Sequence, residues 1–491
     1  MKILIENGNV CSLDLPLKFA QKLYAEFAIR HPNAFYLRTR QRGMQNWDGK
    51  IHYINKYGEF KIGLLPAVYE KCIEYGIKPK VVDMRQPLPK VNEVITKIGE
   101  YKLRPEQEKA VKAVINNRIG KVPFQIGVLD YTVNAGKTLI MSSLYLSYKK
   151  QLKTLLITND SDWLNQARDE FKKYLPGEQI TFVQGKVLNW SNFTIGMVQS
   201  ISRNMRFYQN ELAKVDMVLV DEADQAGSKQ YQNVLTRLFN TRVRIGLSGT
   251  IYMSKLAKDK VKNMNLEVFF GKVLAEFKLK DSIKKGYSTR TIVKMVPSKP
   301  WYGNWESEEV SYKEVYDDSI TFNKYAKRMV YSRLKWNLKQ DRYPALVVCK
   351  FIAHCENLCK YFKKKLGSKY NIACVHVDTP SKIRQQIMKD FREGKIDILV
   401  STTIIARGKN FPKLRYLLNA ASMDSQEKSI QFLGRLVRTD SSKKKVYLDD
   451  LHYPGPYLNR HGKHRKQYYQ KQELKVILLE KIWKNHPIHS L

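Results

Sequence analysis

Thr132-Val133-Asn134-Ala135-Gly136-Lys137-Thr138 is the stretch on which the fold turns. It follows Phe124-Gln125-Ile126-Gly127-Val128-Leu129, an apolar run that reads as a buried strand, and precedes Leu139-Ile140-Met141-Ser142-Ser143-Leu144-Tyr145-Leu146, which reads as a helix. A strand, a loop of small residues ending in Gly-Lys-Thr and then a helix is a phosphate-cradling arrangement. The backbone from Asn134 through Ala135 to Gly136 and the helix N-terminus would face the anion. Lys137 would reach the outer phosphates, and the Thr138 hydroxyl would ligate Mg²⁺. Tyr131 stands where such a loop usually has its first Gly. Gly-Lys-Thr alone fits an ordinary loop-to-helix turn equally well, so the neighbouring segments carry the argument.

Upstream lies Leu103-Arg104-Pro105-Glu106-Gln107-Glu108. Pro105 suits the first turn of a helix. The Gln107 amide, donor and acceptor at once, suits an adenine edge, which makes Arg104 and Gln107 candidates for a nucleotide. Downstream, residues 121–278 alternate strands with helices, the pattern of a parallel sheet. Strands are expected at residues 154–158, 194–198, 217–220 and 244–247. The third runs into Asp221-Glu222-Ala223-Asp224 and the fourth into Ser248-Gly249-Thr250. Ligand chemistry in open α/β sheets collects at the carboxyl ends of strands. Asp221 there would hold Mg²⁺, and Glu222 would orient or deprotonate an attacking water.

Residues 279–340 read as a connector with helices at its two ends. A second alternating segment, 341–450, has strands expected at 345–349, 372–377, 397–402, 415–419 and 445–448, and no phosphate loop. It carries Thr402 through Ala406-Arg407-Gly408-Lys409-Asn410, and then Gln431-Phe432-Leu433-Gly434-Arg435-Leu436-Val437-Arg438. Arg435 and Arg438 are spaced for one helical face and suit negative charge developing on a γ-phosphate. A basic tail, 451–491, is read as helical. His354 and Cys355 near Cys359 are read as part of a helix that follows a strand.

Residues 1–95 read as a small α+β domain: strands at 2–5, 34–37, 50–54 and 80–82, and helices at 16–28 and 64–75. Its distinctive piece is Arg38-Thr39-Arg40-Gln41-Arg42-Gly43-Met44-Gln45-Asn46-Trp47-Asp48-Gly49-Lys50. Arg40, Arg42 and Trp47 suit phosphates and exposed base faces. Asp48-Gly49 also reads as a hairpin turn with Trp47 packed beneath it.

The formal net charge of +40 over 491 residues points to a polyanionic partner, because neutralising phosphates releases counterions. Six scattered cysteines with no Cys-x-x-Cys pair suit reduced thiols and a cytoplasmic setting. Met1-Lys2-Ile3-Leu4-Ile5-Glu6 breaks into charge at once, unlike a secretory leader. No apolar run reaches the ~20 residues a membrane span needs.

Taken in order, Gln107, Gly136-Lys137-Thr138, Leu164-Asn165-Gln166, Gly196-Met197-Val198-Gln199-Ser200, Asp221 to Asp224, Ser248-Gly249-Thr250, Thr402 to Asn410 and Gln431 to Arg438 resemble the motif series of superfamily 2 helicases. The amino-terminal Asn46-Trp47-Asp48-Gly49 resembles a turn of UvsW-like phage helicases. The resemblance implies two RecA-like lobes in tandem with ATP and Mg²⁺ between them, a small α+β domain ahead and the basic helical tail behind. It implies work on branched DNA or duplex/single-strand junctions: fork regression, junction branch migration, and R-loop or D-loop unwinding. Replication or recombination proteins would be the partners, with no membrane involved, in a host cytoplasm if the source is viral. The resemblance places Lys137, Asp221, Glu222, Gln431, Arg435 and Arg438 in catalysis, adds Gly408 to the nucleotide set, and puts Gly196, Gln199, Ser200 and Thr402 on the nucleic-acid side. The departures are Val133 and Asn134 for the family's Thr and Gly or Ser, Asn410 for a common Asp, and Gln431 where RNA-directed Asp-Glu-Ala-Asp helicases carry His. Two other readings stay open on sequence: a motor of the same architecture on RNA, and a binder that does not hydrolyse ATP.

Overall fold

The computed structural model describes the chain except residues 41–42, 160, 188, 250, 252–256, 299–309, 407–410, 425, 441–442 and 480–491. It forms two compact units, Met1–Lys278 and Leu279–Leu491.

The first unit is built on a seven-stranded sheet in the order Ile180–Val183, Phe193–Met197, Thr154–Thr158, Met217–Asp221, Val243–Ser248, Ile126–Tyr131, Val273–Phe277. Every pairing in it is parallel. Ile126–Tyr131, Thr154–Thr158, Met217–Asp221 and Val243–Ser248 are buried along their whole length. Helices cover both faces of such a sheet, so its strands are apolar throughout and do not alternate. Ile180–Val183 and Val273–Phe277, both at sheet edges, were not expected from the sequence. They are only partly buried, and so lack the continuous apolar signature. Pairing in register sets Asp130 beside Ser248 and Asp221 beside Leu247, so the carboxyl ends of three adjacent strands finish level.

Residues 1–95 contribute a mixed four-stranded sheet, in the order Phe60–Lys61, Val10–Asp14, Lys2–Ile5, Lys80–Asp83. Ile3, Ile5, Leu65 and Val68 belong to the same apolar cluster as Phe124, Ile126, Leu266 and Phe269 of the larger sheet's layer. Arg244, wholly buried, donates from Nη2 to the Gly8 carbonyl (2.8 Å) and to Asn9 Oδ1 (2.7 Å). Gly63 lies so close to the helix Ala257–Phe270 that a Cβ there would stand 2.2 Å from the Glu267 carbonyl oxygen. Backbone cannot yield like a flexible side chain, so Gly63→Ala should cost about 1–3 kcal/mol. Thermal unfolding reads this as a fall of about 2–4 °C per kcal/mol; an unchanged midpoint would contradict the close approach.

Residues 34–37, expected as a strand, instead open the helix Ala34–Arg40. The flanking strands Ala28–Arg30 and Lys50–His52 pair with each other, so residues 31–49 must satisfy their backbone locally. The Ala34 and Leu37 amides accordingly donate to the His31 and Asn33 carbonyls. Only Ala34 is buried; the apolar look of the run comes from Phe35 and Tyr36, which are exposed.

The second unit repeats the architecture: a seven-stranded, wholly parallel sheet ordered Ile372–Val375, Ile398–Thr402, Ala345–Cys349, Tyr416–Asn419, Lys445–His452, Arg290–Pro297, Lys475–Leu478. Arg290–Pro297 comes from the segment read as a connector, and Lys475–Leu478 from the tail read as helical. The tail's helix Leu458–Lys471 is present, and it is locked to this sheet. Arg465, 1% exposed, clasps the fully buried Asp450 through Nε and Nη2, and Tyr469 and Asn419 complete the carboxylate's hydrogen bonds. Arg465 is therefore a core residue of a run that reads as basic surface. His354 is also core: its Nδ1 lies 2.9 Å from the Tyr316 hydroxyl, and burial pushes its pKa down to about 3. Among the described residues no helix is long and apolar enough to cross a membrane.

Candidate nucleotide site and nucleic-acid residues

The strand Ile126–Tyr131 delivers the chain to the phosphate loop, and Gly136 begins the helix Lys137–Ser147. Asn134 and Gly136 both take left-handed backbone, at φ 64° and 72°. Alternating conformations of this kind turn successive amides inward as an anion-binding nest. Gly136 is required twice over, because a Cβ there would also lie 2.3 Å from Gln107 Nε2.

The segment ahead of the loop holds it in shape. Gln107 Nε2 donates to the Ala135 carbonyl (2.8 Å), and Arg104 Nη1 donates to the Asn134 carbonyl (3.3 Å). The Tyr131 hydroxyl donates to the Glu106 carbonyl (2.6 Å). The Gln107 Oε1 accepts from the Arg104 amide (2.8 Å), so both ends of this amide, 2% exposed, are engaged within the protein. Tyr131, the odd residue at the loop's first position, is thus a fully buried strut. Sequence reasoning placed Arg104 and Gln107 at the site but not as braces of the loop. Periodicity carries no sign of contacts spanning about thirty residues of chain.

Lys137 Nζ lies 3.2 Å from Asp221 Oδ1, reaching past the end of the intervening strand Val243–Ser248. Burial disfavours the Lys137 charge, but Asp221, Glu222 and Asp224 outweigh it and hold its pKa above the ordinary value. Asp221 is 5% exposed. Apart from that ammonium, Oδ1 has no donor among the described residues, which leaves a hard oxygen suited to a divalent cation. Thr138 follows Lys137 in the first turn of the helix Lys137–Ser147 and is half-buried.

Glu222 sits at φ 54°, a left-handed position that starts the short turn Ala223–Gln225. Its Oε2 accepts from Gln225 Nε2 (3.3 Å), Gln225 Oε1 accepts from Asn159 Nδ2, and the Asn159 carbonyl accepts from Gln199 Nε2 (3.2 Å). Asp224 Oδ1 accepts from Ser248 Oγ (2.6 Å). Gly249 lets the loop after Ser248 lie on the phosphate loop, since a Cβ there would be 2.9 Å from Thr132 Cα. The acidic turn, the Ser248 segment and the Gln199 segment are therefore wired together at one edge of the sheet.

The remaining candidates separate. Gly196 is buried in the strand Phe193–Met197, with a Cβ position 2.6 Å from Ile201 Cδ1, the tip of a side chain that can move. Ser200 is half-buried at the helix Val198–Arg203. Thr402 ends the strand Ile398–Thr402 at 7% exposure. Arg435 lies on the helix Gln426–Leu436, but Arg438 does not share its face as the spacing suggested. The helix stops at Leu436 because Thr289 takes the Val437 carbonyl through its amide (2.8 Å) and the Arg438 carbonyl through its hydroxyl (3.2 Å). Lys443 Nζ meanwhile caps the Leu436 carbonyl (3.1 Å). Arg40 stacks on Tyr36, its guanidinium 5.1 Å from the ring centre. Trp47 is half-buried and donates to the Lys50 carbonyl (2.8 Å), so it packs locally, but Asp48-Gly49 lead straight into the strand Lys50–His52 and do not close a hairpin. Arg42, Thr250, Gly408 and the Gln431 side chain lie outside the described residues.

Residues 100–253 match the family described as type III restriction enzyme, res subunit, and residues 326–440 match the helicase conserved C-terminal domain. Among curated proteins, the chain is 24% identical over 377 residues to the helicase-type protein IRC3 of Saccharomyces cerevisiae, covering 71% of this chain and 51% of that one. It is 22% identical over 431 residues to the ATP-dependent DNA helicase uvsW of Enterobacteria phage T4, covering 83% and 82%. A fragment of an HsdR-type subunit of a type I restriction enzyme from Vibrio vulnificus shares the fold at TM-score 0.57 and 15% identity, over 76% of this chain and 68% of that one. The chain thus spans about half the length of IRC3. Two parallel lobes, the braced phosphate loop with its acidic turn, and separate matches to a restriction-enzyme res-subunit model and a helicase C-terminal model make the chain similar to superfamily 2 helicases. Within that class the chain resembles the UvsW-like phage helicases.

Proposed function

We propose that this chain is an ATP-driven DNA motor acting at branched structures or duplex/single-strand junctions. The observation that carries the hydrolytic half is the Lys137–Asp221 ion pair, set at the carboxyl edge of a parallel sheet beneath a left-handed phosphate loop. In this reading Lys137 leaves Asp221 for the outer phosphates, and Glu222 orients or deprotonates the attacking water. Mg²⁺, held by Thr138 and Asp221, would neutralise phosphate charge. Arg104 and Gln107 keep the loop in its binding shape. Arg435 and Arg438 are assigned to the charge that develops on the γ-phosphate. Arg438→Ala should lower kcat far more than it weakens ATP affinity; a rise in KM alone would remove the assignment.

The polymer is assigned from the +40 net charge and from the similarity to a DNA helicase. The test is steady-state ATPase at one salt concentration with no polymer, single-stranded DNA, linear duplex, a four-way junction and single-stranded RNA. Junction DNA should stimulate above the linear forms. Stimulation by RNA alone would transfer the motor to RNA, and no turnover in any arm would leave a nucleic-acid binder.

A further inference from the structure

The excursion between the paired strands Ala28–Arg30 and Lys50–His52 borders a half-open cavity of about 530 Å³. Its walls include Arg30, Phe35, Arg38, Gln45, Asp48 and Lys50. Sites for small ligands fall at about 300–1,000 Å³. The floor is kept open by small residues: Gly49 is buried at φ 78°, and a Cβ there would stand 3.2 Å from Ala34 Cβ.

The charge of this segment is one-sided. Between residues 28 and 52 the sequence has Arg30, Arg38, Arg40, Arg42 and Lys50 against Asp48 alone. Asp48 is committed to the turn, accepting from His52 Nε2 (2.7 Å) and from the Lys50 amide (2.9 Å). Arg30, Arg38 and Lys50 are exposed around the cavity.

The aromatic on offer is not the one the sequence singled out. Trp47 is fastened by its indole N–H to the Lys50 carbonyl and packs edge-on against His31, at 5.7 Å between ring centres. Phe35, by contrast, is 81% exposed at the cavity wall. An exposed ring in a wall studded with guanidinium and ammonium groups matches a ligand with a flat π-face and a phosphate. An unpaired nucleotide has both.

We propose that this cavity receives one unpaired nucleotide of a DNA strand, with its base stacked on Phe35 and its flanking phosphates held by Arg30, Arg38 and Lys50. The proposal rests on the DNA-motor reading for the identity of the polymer. It gives the amino-terminal region a means of registering where a duplex opens, because paired bases are not available to stack.

The test uses the full chain and a forked DNA with 2-aminopurine at the first unpaired position, whose fluorescence falls on stacking. The wild-type chain should quench the probe, and Phe35→Trp should retain quenching. Phe35→Ala should lose it and bind the fork about 5- to 100-fold more weakly. Because Phe35 is exposed, ATP binding should be unchanged in that variant. Arg38→Gln should keep the quench but flatten the slope of log affinity against log salt by about 0.7, one phosphate contact on a single strand. Fork binding by Phe35→Ala equal to wild type would overturn the cavity while leaving the DNA motor intact. A wild-type chain that binds no DNA would overturn both. Two further controls also count against the strand: quenching only with the corresponding RNA fork, or loss in Phe35→Ala of binding to free dAMP with no effect on the fork.

Discussion

Lys137→Ala should lower ATP turnover by at least about 10²–10³-fold while leaving affinity for DNA close to wild type. The size follows from where Lys137 sits. Its ammonium is the counter-charge of Asp221 in a buried acidic turn, and in the proposed reaction it becomes the contact to the outer phosphates. Removing it has a second consequence that does not depend on ATP. Asp221 is left buried with its Oδ1 lacking a donor among the described residues, which should cost about 1–3 kcal/mol of stability. In the wild type the Lys137 pKa is raised, so its contribution is complete at neutral pH and fades only as pH climbs past the ordinary lysine value. The double variant Lys137→Ala/Asp221→Asn should recover most of the stability and none of the turnover. Equal loss of DNA binding in Lys137→Ala, or no gain in stability when Asp221→Asn is added to it, would contradict the assignment.

The same pair illustrates what the sequence makes legible. Lys137 and Asp221 each follow an apolar strand closely, and parallel strands buried on both faces write themselves as continuous apolar runs. Once the runs are in one parallel sheet, their carboxyl ends share an edge, and the chemistry placed there follows. Where the apolar run is broken, the reading fails. Ile180–Val183 and Val273–Phe277 hide because edge strands are only partly buried. Arg290–Pro297 hides because Arg290, Lys294 and Pro297 interrupt its apolar positions. Residues 34–37 mislead in the other direction, since aromatic residues that look like strand are an exposed helical face.

The site shows the same division. Residue types and their order were legible; contacts made by partners far away in the chain were not. The Arg104–Gln107 segment braces the loop across about thirty residues, and the Thr289 contact that takes Arg438 off its helix spans 149 residues. No local pattern encodes either one. Tyr131 looked like a defect in the loop only because its hydroxyl's partner, the Glu106 carbonyl, cannot be seen in sequence.

Glu222→Gln should lower kcat by about 10²–10⁴-fold with ATP affinity unchanged, the range expected when a positioned base is removed. The substitution is close to isosteric, and an amide oxygen at the same place can still accept from Gln225 Nε2, so the hydrogen-bonded line to Asn159 and Gln199 should survive. What is lost is the proton acceptor. Glu222 also holds a left-handed backbone that a residue with a Cβ occupies at a cost of about 1–2 kcal/mol. Glu222→Gly should therefore be as inactive as Glu222→Gln yet more stable than it, by about 1 kcal/mol. That combination separates a residue kept for chemistry from one kept for folding, because a structural glutamate would lose stability on either change. Gln225→Ala supplies the converse. It leaves the acid in place and cuts its connection to the Gln199 segment, so basal hydrolysis should persist while its stimulation by DNA falls. If Glu222→Gln retains more than about a tenth of kcat, the water-activating role belongs to another group. If Gln225→Ala is stimulated by DNA as strongly as wild type, the line through Asn159 does not carry the signal between polymer and acid.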